Sequence, residues 1–202
     1  MRILLVVLAT ATVALPASAA SIDPQALVIA RSDLPAGFRL DPKESGLRSN
    51  ELEAKESPET RTRFKRWRRV TGYQAKYLRG SSEIEVRVDV FRGADGARKL
   101  LEWVDLELSR AGFTGQKRSR AGFGSEGWVH WVSFPSLRFT IVVWRHRRVF
   151  AGVMGRGISR DRTLALARAQ QRLMAAGLGQ ALTASAGSRG RPCSWQDPAS
   201  GS

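Results

Sequence analysis

A nine-residue segment of strict alternation is the strongest constraint on the fold. In "EIEVRVDVF" the apolar side chains Ile84, Val86, Val88 and Val90 alternate with charged ones. Successive side chains of a strand point to opposite faces, so the segment predicts a strand with one face on a core and one face in water, as in antiparallel sheets. The preceding "GYQAKYLR" alternates in the same way, and Gly80-Ser81-Ser82 between the two predicts a hairpin.

The other elements follow from helical and strand periodicity. Helices are predicted for a short segment from Asp23, then for Ser57 through Arg69, Gly96 to Ala111, and Ser159 to Ala176, where Gly177 and Gly179 end the last one. Three apolar segments, "WVHWVSF", "LRFTIVVW" and "VFAGVMG", predict strands. The middle one is apolar on both sides and is therefore expected to be central, with helix over part of its second face. Residues 41–57 predict a long loop with one helical turn near Asn50–Glu53.

The element order α, α, β, β, α, β, β, β, α predicts an α+β fold in which helices flank an antiparallel sheet of about five strands. Residues 20–180 have the length of a single domain. Residues 181–202 are small, polar and aperiodic, and we expect them to be disordered. Cys193 in this tail is the sole cysteine, so no intramolecular disulfide is possible.

The N-terminus has the features of a signal peptide over residues 1–19. Arg2 precedes the run "ILLVVLATATVAL", and Pro16 is followed by the cleavage-type sequence Ala17-Ser18-Ala19. An uncleaved membrane anchor stays open as the alternative. No later segment is apolar over the length that a spanning helix requires, so no transmembrane segment is expected after cleavage. We expect export to a secreted, periplasmic or cell-wall location.

The formal net charge of +15 is concentrated in two segments. Residues 61–79 contain eight basic residues and no acid, and residues 145–172 contain eight arginines and one aspartate. Such a field favours anionic partners, which for an exported protein are an anionic envelope component or an acidic protein rather than nucleic acid. The candidate basic surface consists of Arg66, Arg68, Arg69, Arg145, Arg147 and Arg148. The alternative stays open that the arginine content reflects codon usage and that these arginines lie on ordinary solvent-exposed faces.

Gly122, Gly124 and Gly127 match the spacing of a dinucleotide-binding loop, G-x-G-x-x-G. That loop must lead into a helix whose N-terminus holds the phosphates, with an acid about 20 residues further on. Here the glycines precede "WVHWVSF", a strand by composition, and the later position is near Arg147. The pattern therefore predicts a turn before a strand, and no nucleotide cofactor is expected.

No other motif predicts catalysis or a metal site. The chain has two histidines, His130 within a predicted strand and His146 among arginines, whereas a zinc site needs three or four converging ligands. Glu83 and Glu85 lie about 6.6 Å apart along one strand face, a spacing found in inverting glycosidases. A hydrolase using these two carboxylates is kept as a remote alternative. We expect a non-catalytic protein without a metal or cofactor.

Aromatic residues suggest a second kind of binding site. In "RFKRWRRV" Phe64 and Trp67 are three residues apart, which indicates a helix that packs its aromatic side on the protein. A groove involving Phe64, Trp67, Trp103 and Trp144 would suit a small-ligand or lipid carrier. This is the alternative to an envelope-associated module that acts through its basic surface.

Several segments resemble a known group of proteins. "ALVIARSDLPAGFRL", "EIEVRVDVFRGADGARKLLEWV", "GFGSEGWV" and "FTIVVWRHRRVFAGVMG" are similar to a group of exported, chiefly actinobacterial proteins that resembles the PsbP-like fold. The similarity covers roughly residues 26–176. It implies helices around an antiparallel sheet and a non-catalytic accessory or binding role, and it supplies no catalytic residues.

Overall fold

The computed structural model describes residues 22–111, 117–120, 123–134 and 137–187. The predicted signal peptide, Gly122, Cys193 and residues 188–202 of the predicted disordered tail lie outside these residues. The described helices are α1 (Asn50–Glu56), α2 (Pro58–Trp67), α3 (Ala94–Arg110) and α4 (Arg160–Gly187), with short 3-10 helices at Gln25–Leu27 and Arg31–Asp33. The described strands are β1 (Arg39–Leu40), β2 (Gly46–Leu47), β3 (Arg69–Arg79), β4 (Ser82–Phe91), β5 (Lys117–Arg120), β6 (Glu126–Phe134), β7 (Leu137–His146) and β8 (Val149–Arg156).

The strands form one antiparallel sheet in the order β1-β3-β4-β8-β7-β6-β5, with β2 also paired to β3. β3 and β4 form the predicted hairpin, with Tyr73 opposite Val88 and Tyr77 opposite Ile84, and Gly80 at the turn has a φ of +56°. β7 lies inside the sheet between β8 and β6, as its two apolar sides predict. The sheet has eight strands rather than about five, because β1, β2 and β5 are short segments that pair along its two sides.

Helix α4 and the N-terminal segment around Leu27 cover one face of the sheet, which we call the first face. Ile84, Val86 and Val88 of β4 point to this face, together with Val142 of β7 and Val153 of β8. α4 and the segment around Leu27 pack over them and complete the larger core cluster. The alternation in "EIEVRVDVF" thus predicts the core-facing side of β4 correctly.

The second face of the sheet is covered as well, which corrects the expectation that it lies in water. Phe64 of α2 and Leu100 of α3 pack on Phe91, Val143 and Phe150 of the sheet and form a second buried cluster. The charged residues of β4 are on this side, and even so Asp89 is 0% exposed and Glu83 9% exposed. Alternation shows that two faces differ in polarity, but charged side chains that pair with one another can also be buried.

Three helical regions differ from the sequence prediction. α2 ends at Trp67 instead of Arg69, which begins β3. α4 continues through Gly177 and Gly179 to Gly187 instead of ending at Ala176. A Cβ at Gly177 would lie 2.8 Å from Leu27 Cδ2, so this glycine makes room for the N-terminal segment and does not end the helix. Near Asn50–Glu53, where one helical turn was expected within a long loop, Ser49 accepts a hydrogen bond from the Leu52 amide and begins the longer, seven-residue helix α1.

Candidate ligand-binding cleft

A mostly apolar cleft lies between helices α2 and α3 and the second face of the sheet. Its volume is about 290 Å³. Aliphatic and aromatic side chains supply most of the lining, and four polar residues from α1, α2 and β4 supply the rest. The lining residues are Glu53, Thr60, Phe64, Glu85, Arg87, Leu100, Trp103, Val104, Leu108, Ile141, Val143, Phe150, Gly152, Val153 and Met154.

The cleft owes its depth to a glycine in a central strand. Gly152 of β8 lies between Arg87 of β4 and Val143 of β7 in the sheet register. A Cβ at this position would find its nearest neighbour, Val143 Cγ1, at 3.4 Å and the next atom at 3.8 Å. A side chain at position 152 would therefore have room. Because glycine has none, this space between β8 and α3 stays open. A glycine inside a strand commonly marks a place where another group approaches the backbone closely.

Three aromatic residues form one wall. The rings of Phe64 and Trp67 are 6.4 Å apart, and those of Trp67 and Trp103 are 6.2 Å apart. The guanidinium of Arg63 lies 4.8 Å from the Trp103 ring centroid. The Trp103 indole Nε1 is buried and donates no hydrogen bond within the described part of the chain. The wall is therefore preformed, and it holds a polar donor whose hydrogen-bonding capacity is unused.

At the polar end, acidic and basic side chains alternate in a continuous series of ion pairs. Glu53 Oε1 lies 2.9 Å from Arg48 Nε and 3.0 Å from Arg87 Nη2. Asp89 in turn receives Arg87 Nε at 2.8 Å and Arg69 Nη2 at 2.6 Å. Burial alone would raise the pKa of Asp89, but Arg87 and Arg69 hold that pKa below its usual value. The series connects α1 to β3 and β4, and it fixes one end of the cleft.

Glu83 and Glu85 have different surroundings, although they share a strand face. Lys76 lies opposite Glu85 in the register, but its Nζ is 3.1 Å from Glu83 Oε1, and Arg156 also approaches Glu83, at 3.8 Å. Of the two acids only Glu85 lines the cleft. Burial, opposed by Arg87 and Lys76, raises the pKa of Glu85. The two carboxylates therefore do not face a common cavity as a hydrolytic pair would.

The structure brings together part of the groove predicted from the aromatic residues. Phe64 and Trp103 line the cleft, and Trp67 contacts both from the outer side. Trp144 corrects the prediction, because it lies on the first face of the sheet, 0% exposed, against Phe123. Even and odd positions of a strand point to opposite faces, so Trp144 on β7 cannot join a groove lined by Val143.

Sequence reasoning missed Gly152 and the polar end of the cleft. Gly152 could have been recognised from the sequence, because a glycine inside the apolar strand "VFAGVMG" indicates a bulge or a close approach to the backbone. Glu53 and Arg48 carry no such signal. Glu53 reaches Arg87 of β4, and Arg48 joins it through Glu53, only because α1, in the region predicted as a loop, packs beside β3.

The predicted basic residues separate into two groups. Arg69 is buried in the ion-pair series, and Arg145 Nε lies 3.2 Å from Glu126 Oε2, so neither contributes a free charge to a surface. Arg68 and Arg148 come together at one end of the sheet. The Arg92 amide donates to the Arg68 carbonyl at 3.0 Å, and the Phe91 amide donates to the Arg148 carbonyl at 2.9 Å.

We name this region the basic end surface, consisting of Arg66, Arg68, Arg92, Arg147 and Arg148. All but Arg148 are exposed, and Arg148 is partly buried. Arg68 and Arg147 have φ values of 58° and 53°, in the left-handed region that favours glycine. Arg92 was not predicted, and it joins the surface because β4 ends beside the start of β3 and the β7–β8 turn.

Of the glycines in this pattern that the structure describes, Gly124 lies in a turn before a strand, as predicted, and Gly127 lies within the strand. β6 begins at Glu126, and Gly124 has a φ of +55°. A Cβ at Gly124 would collide with the carbonyl oxygen of Arg145, and one at Gly127 would lie 2.8 Å from Trp144 Cβ. Both glycines thus allow close packing against β7, and the element that begins here is the strand β6 rather than a helix.

The two histidines lie in different surroundings. His130 Nε2 is 3.1 Å from Asp105 Oδ1 and the His130 side chain is 1% exposed, so the residue is part of the packing between α3 and β6. Burial and Arg147 lower the pKa of His146. Over the described ranges, no group of three or more histidine, cysteine or acidic residues is placed to hold a metal ion.

Comparison with known proteins gives little beyond this. The chain matches no protein-family model and no curated protein. Among solved structures it is similar to the extracellular domain of PknH from Mycobacterium tuberculosis, with a TM-score of 0.42 and 10% identity over 76% of this chain and 98% of that one. The PsbP-like assignment and the exported actinobacterial group are not shown by these comparisons and stay predictions. No helix in the described part of the chain has the length and apolar character to cross a membrane.

Proposed function

We propose that this chain is an exported, non-catalytic binding domain that holds a small, mainly apolar ligand in the cleft between α2, α3 and the sheet. The cleft carries the proposal. Its volume of about 290 Å³ is at the lower limit of the range for small-molecule sites, about 300–1,000 Å³. Each ligand methylene buried there contributes about 0.8 kcal/mol. Export is supported by the signal-peptide pattern of residues 1–19.

Filling the cleft provides the test. In Gly152→Val, the new side chain occupies the space above β8 and suits a central strand. We expect n-octanol to shift amide resonances of residues such as Val104 and Val143, together with the Trp103 indole signal, in ¹⁵N-HSQC spectra of the unaltered chain. Gly152→Val should lose these shifts and keep a folded spectrum.

Gly179→Ala is the matched control, because no atom lies within 4 Å of the added Cβ and the position is on α4, over the opposite sheet face. This variant should bind n-octanol as the unaltered chain does. Octanol shifts that persist in Gly152→Val would contradict the proposal, and so would the absence of shifts in the unaltered chain.

A second candidate function is binding of an anionic envelope component by the basic end surface. The specific observation in its favour is that two arginine-rich segments, far apart in sequence, meet at the backbone of Phe91 and Arg92. Co-sedimentation with phosphatidylglycerol vesicles, compared with phosphatidylcholine vesicles, measures this binding. It should weaken steeply with added salt, since the Debye length shrinks to about 8 Å at physiological ionic strength. Equal binding to both vesicles would contradict this second function.

A further inference from the structure

The polar residues of the cleft determine which ligand it suits. Four of them line it, namely Glu53, Thr60, Glu85 and Arg87. A ligand whose body contacts the apolar lining must place its own polar group among these four. The question is which of them has hydrogen-bonding or charge capacity to spare.

Arg87 and Glu53 already have partners. Arg87 directs Nε and Nη2 to the two carboxylate oxygens of Asp89, at 2.8 and 3.3 Å, and Nη2 also lies 3.0 Å from Glu53. Glu53 Oε1 is shared between Arg87 and Arg48. Asp89 and Glu53 raise the pKa of Arg87 in spite of its burial, so the guanidinium stays charged and paired. A ligand carboxylate would have to compete with two internal carboxylates for Arg87.

Glu85 is in the opposite situation. Among the described residues, no hydrogen bond and no ion pair reaches its carboxylate, because Lys76, which lies opposite, pairs with Glu83 instead. The charged groups around Glu85 therefore pair with other residues: Lys76 of β3 with Glu83, and Arg87 of β4 with Asp89 and with Glu53 of α1. On the α2 side, Arg63 Nη2 lies 3.0 Å from Glu59 Oε2. Of the three charged residues that line the cleft, Glu53, Glu85 and Arg87, Glu85 is thus the one with capacity to spare, and it is an acceptor with negative charge.

The nearby rings add to this preference. Phe64 has the Arg69 guanidinium 4.6 Å from its centroid, and Trp103 has that of Arg63 at 4.8 Å. Aromatic faces attract cations, and both rings already do so outside the cleft. A cationic ligand head beside Glu85 would lie near surfaces of this kind.

Building on the proposed function, we infer that the cleft binds a small amphipathic amine, whose ammonium group donates to Glu85 and whose apolar body lies over Gly152 against α3. A charge-assisted hydrogen bond of this type is about twice as strong as a neutral one. Binding requires no covalent step.

Three ligands with the same chain test the inference: n-octylamine, n-octanol and sodium octanoate, each titrated into the full chain at neutral pH and followed by calorimetry and the Trp103 indole resonance. We expect octylamine to bind about tenfold more tightly than octanol, and octanoate to bind most weakly. Glu85→Gln keeps the shape of the side chain and removes its charge. It should reduce octylamine affinity about tenfold, to that of octanol, and leave octanol affinity unchanged.

Glu102→Gln is the matched control, because it makes the same change at an exposed carboxylate that pairs with Arg98 and does not line the cleft. Octylamine affinity should stay within about twofold of that of the unaltered chain. If octanoate binds most tightly, or if Glu85→Gln leaves octylamine binding unchanged, the amine inference is overturned. The proposed function survives that result, provided that octanol binding is still abolished by Gly152→Val. If none of the three ligands binds, both fail.

Discussion

Arg69 and Asp89 form a fully buried ion pair, with Arg69 Nη2 2.6 Å from Asp89 Oδ1 and both side chains 0% exposed. Arg69 Nη1 also donates to Asn50 Oδ1 at 2.8 Å, and Arg69 Nη2 donates to the Arg48 carbonyl at 2.8 Å. The pair therefore joins α1, β3 and β4 at the polar end of the cleft. A residue predicted to belong to a binding surface is instead part of the interior.

Asp89→Ala should lower the free energy of unfolding by about 3–5 kcal/mol, because it leaves the fully buried Arg69 guanidinium without its carboxylate and removes one of the two carboxylates that pair with Arg87. Urea denaturation monitored by tryptophan fluorescence measures the change. Glu59→Gln is the control, since its ion pair to Arg63 is largely exposed and should contribute less than about 0.5 kcal/mol. Equal losses in the two variants would contradict a special role for the buried pair.

The same pair predicts the effect of acid on stability. Because the pKa of Asp89 is lowered in the folded chain, the unfolded chain takes up this proton more readily. The contribution of Asp89 is therefore complete above its usual pKa of 3.8 and is lost as the pH falls through the lower folded value. Glu85, whose pKa is raised from 4.5, has the opposite sign.

Urea titrations at a series of acidic pH values test this dependence. In Asp89→Asn the decline in stability toward low pH should be shallower than in the unaltered chain. Curves that stay parallel would mean that other carboxylates account for the acid sensitivity.

Gln170 attaches the N-terminal segment to α4. Its Oε1 accepts from the Ile29 amide at 2.8 Å, its Nε2 donates to the Leu27 carbonyl, and the side chain is fully buried. Gln170→Leu should cost about 2–4 kcal/mol, since both backbone groups lose their partner. The Ile29 amide should also lose protection from hydrogen exchange. Gln171→Leu is the matched control and should not lower stability, because the buried Gln171 Oε1 has no hydrogen-bond partner to lose in the described residues.

At Arg147 of the basic end surface, the effect of charge on vesicle binding can be measured separately from the effect of backbone strain on stability. Arg147 has a φ of 53°, and the left-handed conformation costs a residue with a side chain about 1–2 kcal/mol. Arg147→Gly should therefore raise the free energy of unfolding by about 1 kcal/mol. It should weaken binding to phosphatidylglycerol vesicles about fivefold, since one arginine near such a surface contributes about 1 kcal/mol.

Arg138→Gln removes the same charge from the opposite end of β7 and is the control for the vesicle measurement. Its binding should equal that of the unaltered chain. If both variants bind equally weakly, net charge rather than the basic end surface would explain the affinity.

Features that depend on residues close together in the sequence were predicted, and features that depend on contacts between distant residues were not. The β3–β4 hairpin and the turn before β6 depend on neighbouring residues, such as Gly80 and Gly124, and both were predicted, although β6 begins at Glu126 rather than at Trp128. The burial of Asp89 depends on Arg69, 20 positions earlier, and on a helix in the region predicted as a loop. The end of α4 was wrong because Gly177 faces Leu27, a contact that no local pattern contains. Half of the aromatic groove was predicted, since periodicity identified Phe64 but not which sheet face Trp144 occupies.

Gly152 provides the last prediction, because at this position stability and binding should change in opposite directions. Glycine within a strand costs about 0.5–1 kcal/mol relative to alanine, so Gly152→Ala should raise the free energy of unfolding by that amount. The added methyl group has room, with Val143 Cγ1 at 3.4 Å as its nearest neighbour, but it takes that room from the cleft. Octanol affinity should fall, while Gly179→Ala should gain similar stability without losing affinity. A Gly152→Ala variant that is more stable and binds octanol as well as the unaltered chain would mean that the gap above β8 is a packing defect and not a binding site.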